Sequence, residues 1–198
     1  MAGETLRLVL LGPPGSGKGT QAALLAERLG IPAISTGDIV RGAIAEGSAL
    51  GRRVERIVSG GDLVDDDAMG QIVRHRLSQD DARGGFLLDG YPRTLPQADT
   101  LRAVLDELGH SLSAVVFIDV PEDELVSRML GRGRADDSDE IIRRRLAVYR
   151  RQTEPLICHY RELGLLVAID GDRTIAEVNE TILSELGVGR RSVREVGG

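Results

Sequence analysis

The chain has 198 residues, the size of one core domain and not of two independently folded units. Hydrophobic residues make up 41% and charged residues 28%, which excludes a disordered chain, while an aromatic share of 3% with no Trp excludes stacking platforms for single-stranded nucleic acid. The net charge of −6 works against nonspecific binding to nucleic acid or anionic membranes, so an anionic ligand has to be met by local cations.

Thr5–Leu11 is a short apolar run stopped by Gly12-Pro13-Pro14-Gly15, which predicts a buried strand ending in a turn. From Gly17 to Leu29 the residues Ala22, Leu25, Ala26 and Leu29 recur at helical spacing, and Gly30 supplies the stop. Ala33–Ser35 reads as a second strand. Three helices follow at Asp38–Ala45, Leu50–Val58 and Asp66–Leu77, divided by glycines, and form a helical insertion. Gly85–Asp89, Leu95–Leu108, Ala114–Asp119 and Glu122–Leu130 continue as strand, helix, strand and helix, the last opened by Pro121. Gly131–Asp137 has no apolar anchor and reads as a mobile surface loop. Asp137-Ser138-Asp139-Glu140 has capping-box form and opens a helix expected to run through Tyr149, with Pro155 as a break or second start. Leu165–Ile169 and Thr174–Leu186 are the fifth strand and the last helix, and residues 187–198 a frayed tail. This alternation implies an α/β three-layer sandwich around a five-stranded parallel sheet, with ligands beyond the carboxyl ends of the strands.

Those strand ends carry the polar motifs. Gly12-Pro13-Pro14-Gly15-Ser16-Gly17-Lys18-Gly19-Thr20 fits the P-loop. In that loop backbone N–H groups close around a β-phosphate, lysine reaches the β and γ oxygens, and the following helix adds its positive end. Gly15 through Thr20 are therefore the expected phosphate contacts, in place of an ordinary glycine-rich turn. Lys18 is the single lysine of the chain; every other basic residue is arginine, which suggests that a compact ammonium is required here. The residue after the lysine is Gly19 where the general P-loop has Ser or Thr, which argues against direct hydroxyl ligation of magnesium at that position. Asp89, closing an apolar strand, stands where P-loop proteins hold a carboxylate for Mg²⁺ or one of its waters, a turn or cap role being the alternative. Behind it, Gly90-Tyr91-Pro92-Arg93 allows close backbone approach and throws a guanidinium back over the site.

Taken in order, the chain resembles the nucleoside monophosphate kinases, and among them the adenylate kinases most closely. Four blocks support this over nearly the whole length: residues 12–20; Ile34-Ser35-Thr36-Gly37-Asp38 with Arg41; Asp89 to Arg93 with Gln97; and Gly131 to Asp137 followed by Arg145. Gly19 matches the family, so the departure from the general P-loop is a family feature. The resemblance implies a mobile acceptor-binding segment at residues 35–64. There Thr36 faces the adenine of AMP, the backbone at Asp62, Leu63 and Val64 lines the base pocket, and Arg41 and Arg93 hold the AMP phosphate. Gln97 would read the Watson–Crick edge of adenine through its amide, a solvated helix position being the alternative. Gly90, Tyr91 and Pro92 belong to the same acceptor site. Arg128 and Arg132 would meet the ATP base and phosphates, and Arg173 would bring its backbone to the ATP adenine. Arg134 and Arg145 would hold the phosphates being exchanged, while Arg143, Arg144, Arg150 and Arg151 read as a solvated helix face.

The implied chemistry is transfer of the γ-phosphoryl group of MgATP to AMP, giving two ADP. Lys18, Arg93, Arg132, Arg134 and Arg145 would neutralise the moving charge, and a short lid at residues 131–137 would exclude water. That lid has neither the length nor the cysteines of zinc-bearing forms, so structural zinc is not expected. A uridylate or cytidylate kinase is the nearest rival; Thr36 weighs against it, since pyrimidine-specific relatives tend to carry a smaller residue there. A GTP-operated switch would need an Asn-Lys-x-Asp guanine reader, which a chain whose one lysine is Lys18 cannot contain. An ATPase motor subunit would need an arginine supplied in trans. Cys158 alone permits no internal disulfide, and no apolar run approaches the roughly 18 residues of a membrane helix. The expectation is a cytoplasmic monomer whose partners are ATP, AMP and ADP.

Overall fold

The computed structural model describes residues 5–131 and 138–188. Strands β1 (Arg7–Leu11), β2 (Ala33–Ser35), β3 (Phe86–Asp89), β4 (Ala114–Asp119) and β5 (Leu166–Asp170) form one sheet in the order β2-β3-β1-β4-β5. Every neighbouring pair is parallel, as the strand-helix alternation implies. The helices are α1 (Lys18–Leu29), α2 (Thr36–Ala45), α3 (Ala49–Ser59), α4 (Asp66–Leu77), α5 (Leu95–Glu107), α6 (Glu122–Gly131), α7 (Asp139–Val148), α8 (Pro155–Glu162) and α9 (Ile175–Glu185).

Both faces of the sheet are covered, because alternate strand residues point opposite ways. Val9, Leu11, Leu88 and Phe117 face one core, shared with Val73 of α4, Leu101 of α5 and Leu156 of α8. Leu8, Leu10, Val116 and Ile118 face the other, shared with Leu25 of α1, Met129 of α6, Ile142 of α7 and Ile182 of α9. Burying each such side chain contributes about 1.5–3 kcal/mol. The register sets the site: Asp89 pairs with Leu10 on one side and Ser35 on the other. The ends of β1, β2 and β3 therefore open at one level.

Several local features differ from the sequence reading. The helix expected to run through Tyr149 stops at Val148 and widens into a π turn over Tyr149–Thr153 before α8 starts at Pro155. The anticipated capping box at its start is half present. Ser138 caps α7 by accepting from the Ile141 N–H, but the third helical residue is Ile141, which has no carboxylate to return the bond. The complete capping box belongs to α9, where Thr174 and Glu177 hold each other's backbone. A short 3₁₀ turn at Asp80–Ala82 was also not anticipated.

Helices α2 and α3 pack face to face at Gly51, where a Cβ would stand 2.0 Å from the Ala43 carbonyl oxygen. This explains why the insertion needs glycine there. The first residue of α2 is Thr36, two residues earlier than its sequence pattern suggests, because Ser35 caps the helix through the Asp38 N–H.

All three tyrosines of the chain sit in packed surroundings. Burial raises each hydroxyl above its ordinary range, with Asp66 adding to the shift at Tyr91, Glu154 and Asp119 at Tyr149, and Tyr91 and Asp99 at Tyr160. Below about pH 10 both folded and unfolded tyrosines are protonated and their contribution to stability is complete. Above it the unfolded chain releases protons that the fold retains, so stability falls as pH rises. Thermal melts should therefore be flat up to about pH 9.5 and drop steeply beyond about pH 10, with phenolate absorbance appearing together with unfolding. Tyrosine ionisation well before loss of secondary structure would contradict this burial.

Candidate active site

An open cleft of about 1050 Å³ runs along the carboxyl edge of the sheet. That volume is at the top of the roughly 300–1,000 Å³ typical of one small-molecule site.

One end is the loop after β1. Gly12, Gly15 and Gly17 have positive φ, and a Cβ on Gly15 would stand 2.8 Å from the Leu125 carbonyl oxygen, so the loop closes only with glycine. Helix α1 then starts from Gly17 without a side-chain cap and without an acidic residue in its first turn. By contrast α2, α3, α4, α5, α7 and α9 are each capped by a Ser, Thr or Asp side chain. The first N–H groups of α1, and its positive end, are thus left for an anion. Lys18 Nζ donates to the Pro13 carbonyl at 2.8 Å and to Ser16 Oγ at 3.4 Å, so the ammonium lies across the loop. Gly19 and Thr20 also line the cleft.

Asp89 enters from β3. Its Oδ2 lies 3.6 Å from where a Cβ on Gly19 would stand, which places the carboxylate beside the phosphate loop. Mg²⁺ is commonly held by one or two carboxylates together with phosphate oxygens and water. Among the described residues no cluster of three or more His, Cys, Asp or Glu forms a cation cage. The donor set fits a magnesium ion carried on phosphate.

The other end of the cleft is cationic. Gly90 has φ +83, and a Cβ there would stand 2.9 Å from both Arg93 Nη2 and Thr36 Oγ1. Its absence lets the Arg93 guanidinium fold back and donate from Nε to the Gly90 carbonyl at 2.8 Å. Burial lowers the Arg93 pKa; Asp89 opposes this, and the neighbouring Arg145 and Arg41 add to it. Three guanidinium groups, from the loop after β3, from α7 and from α2, therefore converge at this end of the cleft. Arg41 is held by Asp38. Thr36, 2% exposed, donates to the Asp89 carbonyl at 3.3 Å. Asp62, Leu63 and Val64 line the same end, and Gly61 packs on Ile141 and Arg145 of α7.

Gln97 also faces the cleft, and at 2% exposure it is a buried residue and not a solvated one. Tyr91 requires a correction: its side chain is 1% exposed and packs in the core among the residues of β1, β3 and α5. Only Gly90, Pro92 and Arg93 of that block line the cleft. The Tyr91–Pro92 peptide is cis.

Near the P-loop end, Arg128 donates to Glu124 at 2.8 Å and to the Gly171 carbonyl at 3.2 Å, which ties α6 to the loop after β5. Arg173 pairs with Asp170 and lines the cleft. Arg132 and Arg134 lie outside the described residues, as does nearly all of the 131–137 loop and of the 187–198 tail.

Sequence reasoning missed several contributors. Gln21, 3% exposed, links α1 to α9 through the Ile175 carbonyl and Asn179; a polar residue on the apolar side of α1 was the available signal. Ile175 and Val178 supply apolar wall beside Arg173. Of the arginines read as a solvated face, two form ion pairs across the fold, Arg144 with Asp62 and Arg150 with Glu122, while Arg143 pairs with Asp139 one turn away on the same helix. The Asp62 pair spans 82 residues, beyond any local spacing rule.

The family model for adenylate kinase matches residues 10–165. Adenylate kinases of Nocardia farcinica and Corynebacterium glutamicum are 51% and 52% identical to the chain over 182 residues, covering 92% of it and 99% of each relative. That of Kocuria rhizophila is 48% identical over 184 residues, covering 91% and 98%. The chain belongs to the adenylate kinase family. None of these relatives is named as acting on a pyrimidine nucleotide. Among the described residues no helix is long and apolar enough to cross a membrane.

Proposed function

We infer that the chain catalyses reversible transfer of the γ-phosphoryl group of ATP to AMP, giving two ADP. The carrying observation is that one cleft joins an uncapped helix start with its single lysine to a cluster of three guanidinium groups. ATP occupies the loop from Gly15 to Thr20, with its base between Arg128 and Arg173 and against Ile175 and Val178. AMP occupies the opposite end, its phosphate on Arg41 and Arg93 and its base beside Thr36, the 62–64 backbone and Gln97.

Phosphoryl transfer needs the attacking oxygen, phosphorus and leaving oxygen in line and the equatorial charge neutralised; no proton abstraction by a side chain is required. Lys18 supplies a compact charge at the β and γ oxygens, and Arg93 and Arg145 neutralise the group as it moves. Asp89 would hold Mg²⁺, directly or through water, and the ion would supply further neutralisation of phosphate charge. Arg132 and Arg134 are assigned to the lid over the reacting phosphates, where exclusion of water directs transfer to AMP and away from hydrolysis. Both ends of the cleft come from one chain, which supports a monomeric enzyme, and the absence of a basic surface excess supports free nucleotides as its partners in the cytoplasm.

The test is a coupled assay with MgATP and, in turn, AMP, CMP, UMP and GMP. ADP formation with AMP at a kcat/KM well above that for the other three is the expected result. No ADP from ATP and AMP, or a preference for CMP or UMP, would overturn the reading.

A further inference from the structure

We propose that Asp66, which does not line the cleft, is a positioning residue that sets the choice of acceptor base by locking the Gln97 amide in one orientation. The inference rests on the acceptor end being the AMP site.

Asp66 is the first residue of α4, after the Asp65 cap. Its Oδ1 accepts from Gln97 Nε2 at 2.8 Å and from Thr94 Oγ1 at 3.0 Å. On the other side of the same amide, Gln97 Oε1 accepts from the Arg93 backbone N–H at 2.7 Å. Thr94 is itself fixed, because it caps α5 by accepting from the Gln97 N–H.

An amide can usually turn over, exchanging its oxygen and nitrogen at little cost. Here it cannot. An ionised carboxylate only accepts and a backbone N–H only donates. Inverting Gln97 would set its carbonyl against Asp66 and its NH₂ against the Arg93 N–H, two repulsive contacts in a site where the side chain is 2% exposed. The locked amide has one N–H and one lone pair left, in a fixed order along its edge.

That order discriminates between purines. A 6-aminopurine presents a donor at position 6 and an acceptor at position 1; a 6-oxopurine presents an acceptor at 6 and a donor at 1. An amide whose oxygen meets position 6 and whose N–H meets position 1 fits the first and opposes the second. An inverted amide would do the reverse. The base cannot turn over to restore the match while its phosphate is anchored on Arg41 and Arg93. A site that leaves a buried polar group mispaired discriminates far more strongly than one that differs only in shape. Selection against oxopurines would then lie in Asp66 and the Arg93 backbone, one layer behind the residue that meets the base.

The test compares kcat/KM for AMP and for inosine monophosphate, which differ at the purine 6-position and its coupled N1 proton, in the parent, Asp66→Ala and Asp66→Asn enzymes. Asp66→Ala removes the acceptor and frees the amide. The ratio of the two kcat/KM values should fall by about tenfold or more, chiefly through a higher KM for AMP, with KM for ATP unchanged. Asp66→Asn keeps the shape, but its own amide can turn over and donate to an inverted Gln97, so its ratio should fall too, whereas a merely structural role would leave this isosteric variant near the parent ratio. Where Asp66→Ala melts below the assay temperature, Asp66→Ser replaces it, since its hydroxyl is too short to reach Gln97. An unchanged ratio in the Ala, Ser or Asn variant would overturn the proposal. A parent that makes no ADP from ATP and AMP would instead overturn the underlying reading of the site, so the two failures are distinguishable.

Discussion

Replacing Lys18 with methionine is expected to lower kcat by about 10³-fold or more while moving the melting temperature by only a few degrees. The ammonium lies across the phosphate loop, donating to the Pro13 carbonyl and Ser16 Oγ, so it is held over the position a β-phosphate would take. Such hydrogen bonds are each worth only about 1 kcal/mol net to the fold. Neutralising charge that develops in a site emptied of water is worth several times more. Lys18→Arg should not rescue the rate, because a planar guanidinium is wider than the loop that holds the ammonium. A second readout follows from composition. Lys18 is the single lysine, so an amine-directed reagent can modify only it and the α-amino group. ATP should protect one of these two sites from modification and AMP alone should protect neither. A variant within about tenfold of the parent rate would remove the phosphate role of Lys18.

The parts of the site that a local pattern could reveal are those built from the backbone. Glycines at 15, 17 and 90 were legible because their positive φ disfavours any side chain, with close approaches adding to this at 15 and 90, and the strand ends were legible because a buried parallel strand is a continuous apolar run. Direction of side chains was less so. Tyr91 turns into the core although both its neighbours line the cleft, and the motif as a whole carries no mark of which of its side chains point which way. The strand order β2-β3-β1-β4-β5 is set by packing between elements and has no signature in any one segment. Contacts across long separations were invisible for the same reason. Arg144 looked like one more charge on a basic helix, and only the fold brings it to Asp62. Asp66 marked only the start of an expected helix, and its bond to Gln97 spans 31 residues. The capping box was misplaced by the inverse error, since Ser138 has the right cap chemistry but an isoleucine where the reciprocal acid must stand.

Arg93→Met should reduce kcat/KM for AMP by about 10³-fold or more and, without ligand, leave the protein as stable as the parent or more so. The two effects have one origin. The Arg93 guanidinium is partly withdrawn from water, forms no ion pair with a carboxylate among the described residues, and faces Arg145 and Arg41; its lowered pKa records burial first, the opposing attraction of Asp89 second, and these two cations after it. Its one side-chain hydrogen bond is to a neutral acceptor, the Gly90 carbonyl. A cation held this way disfavours the unliganded fold and is matched only when an anion arrives between the three arginines. Inorganic phosphate should accordingly raise the melting temperature of the parent clearly more than that of Arg93→Met. Arg93→Lys should recover little activity, because a single ammonium cannot replace two parallel N–H bonds to a phosphate. The guanidinium also leans on the Gly90 backbone, so Gly90→Ala should give a similar loss through displacement of Arg93: the added Cβ would stand 2.9 Å from its Nη2. A methionine variant that melts many degrees lower, or that keeps kcat/KM for AMP within about tenfold, would show that Arg93 serves the fold and not the acceptor phosphate.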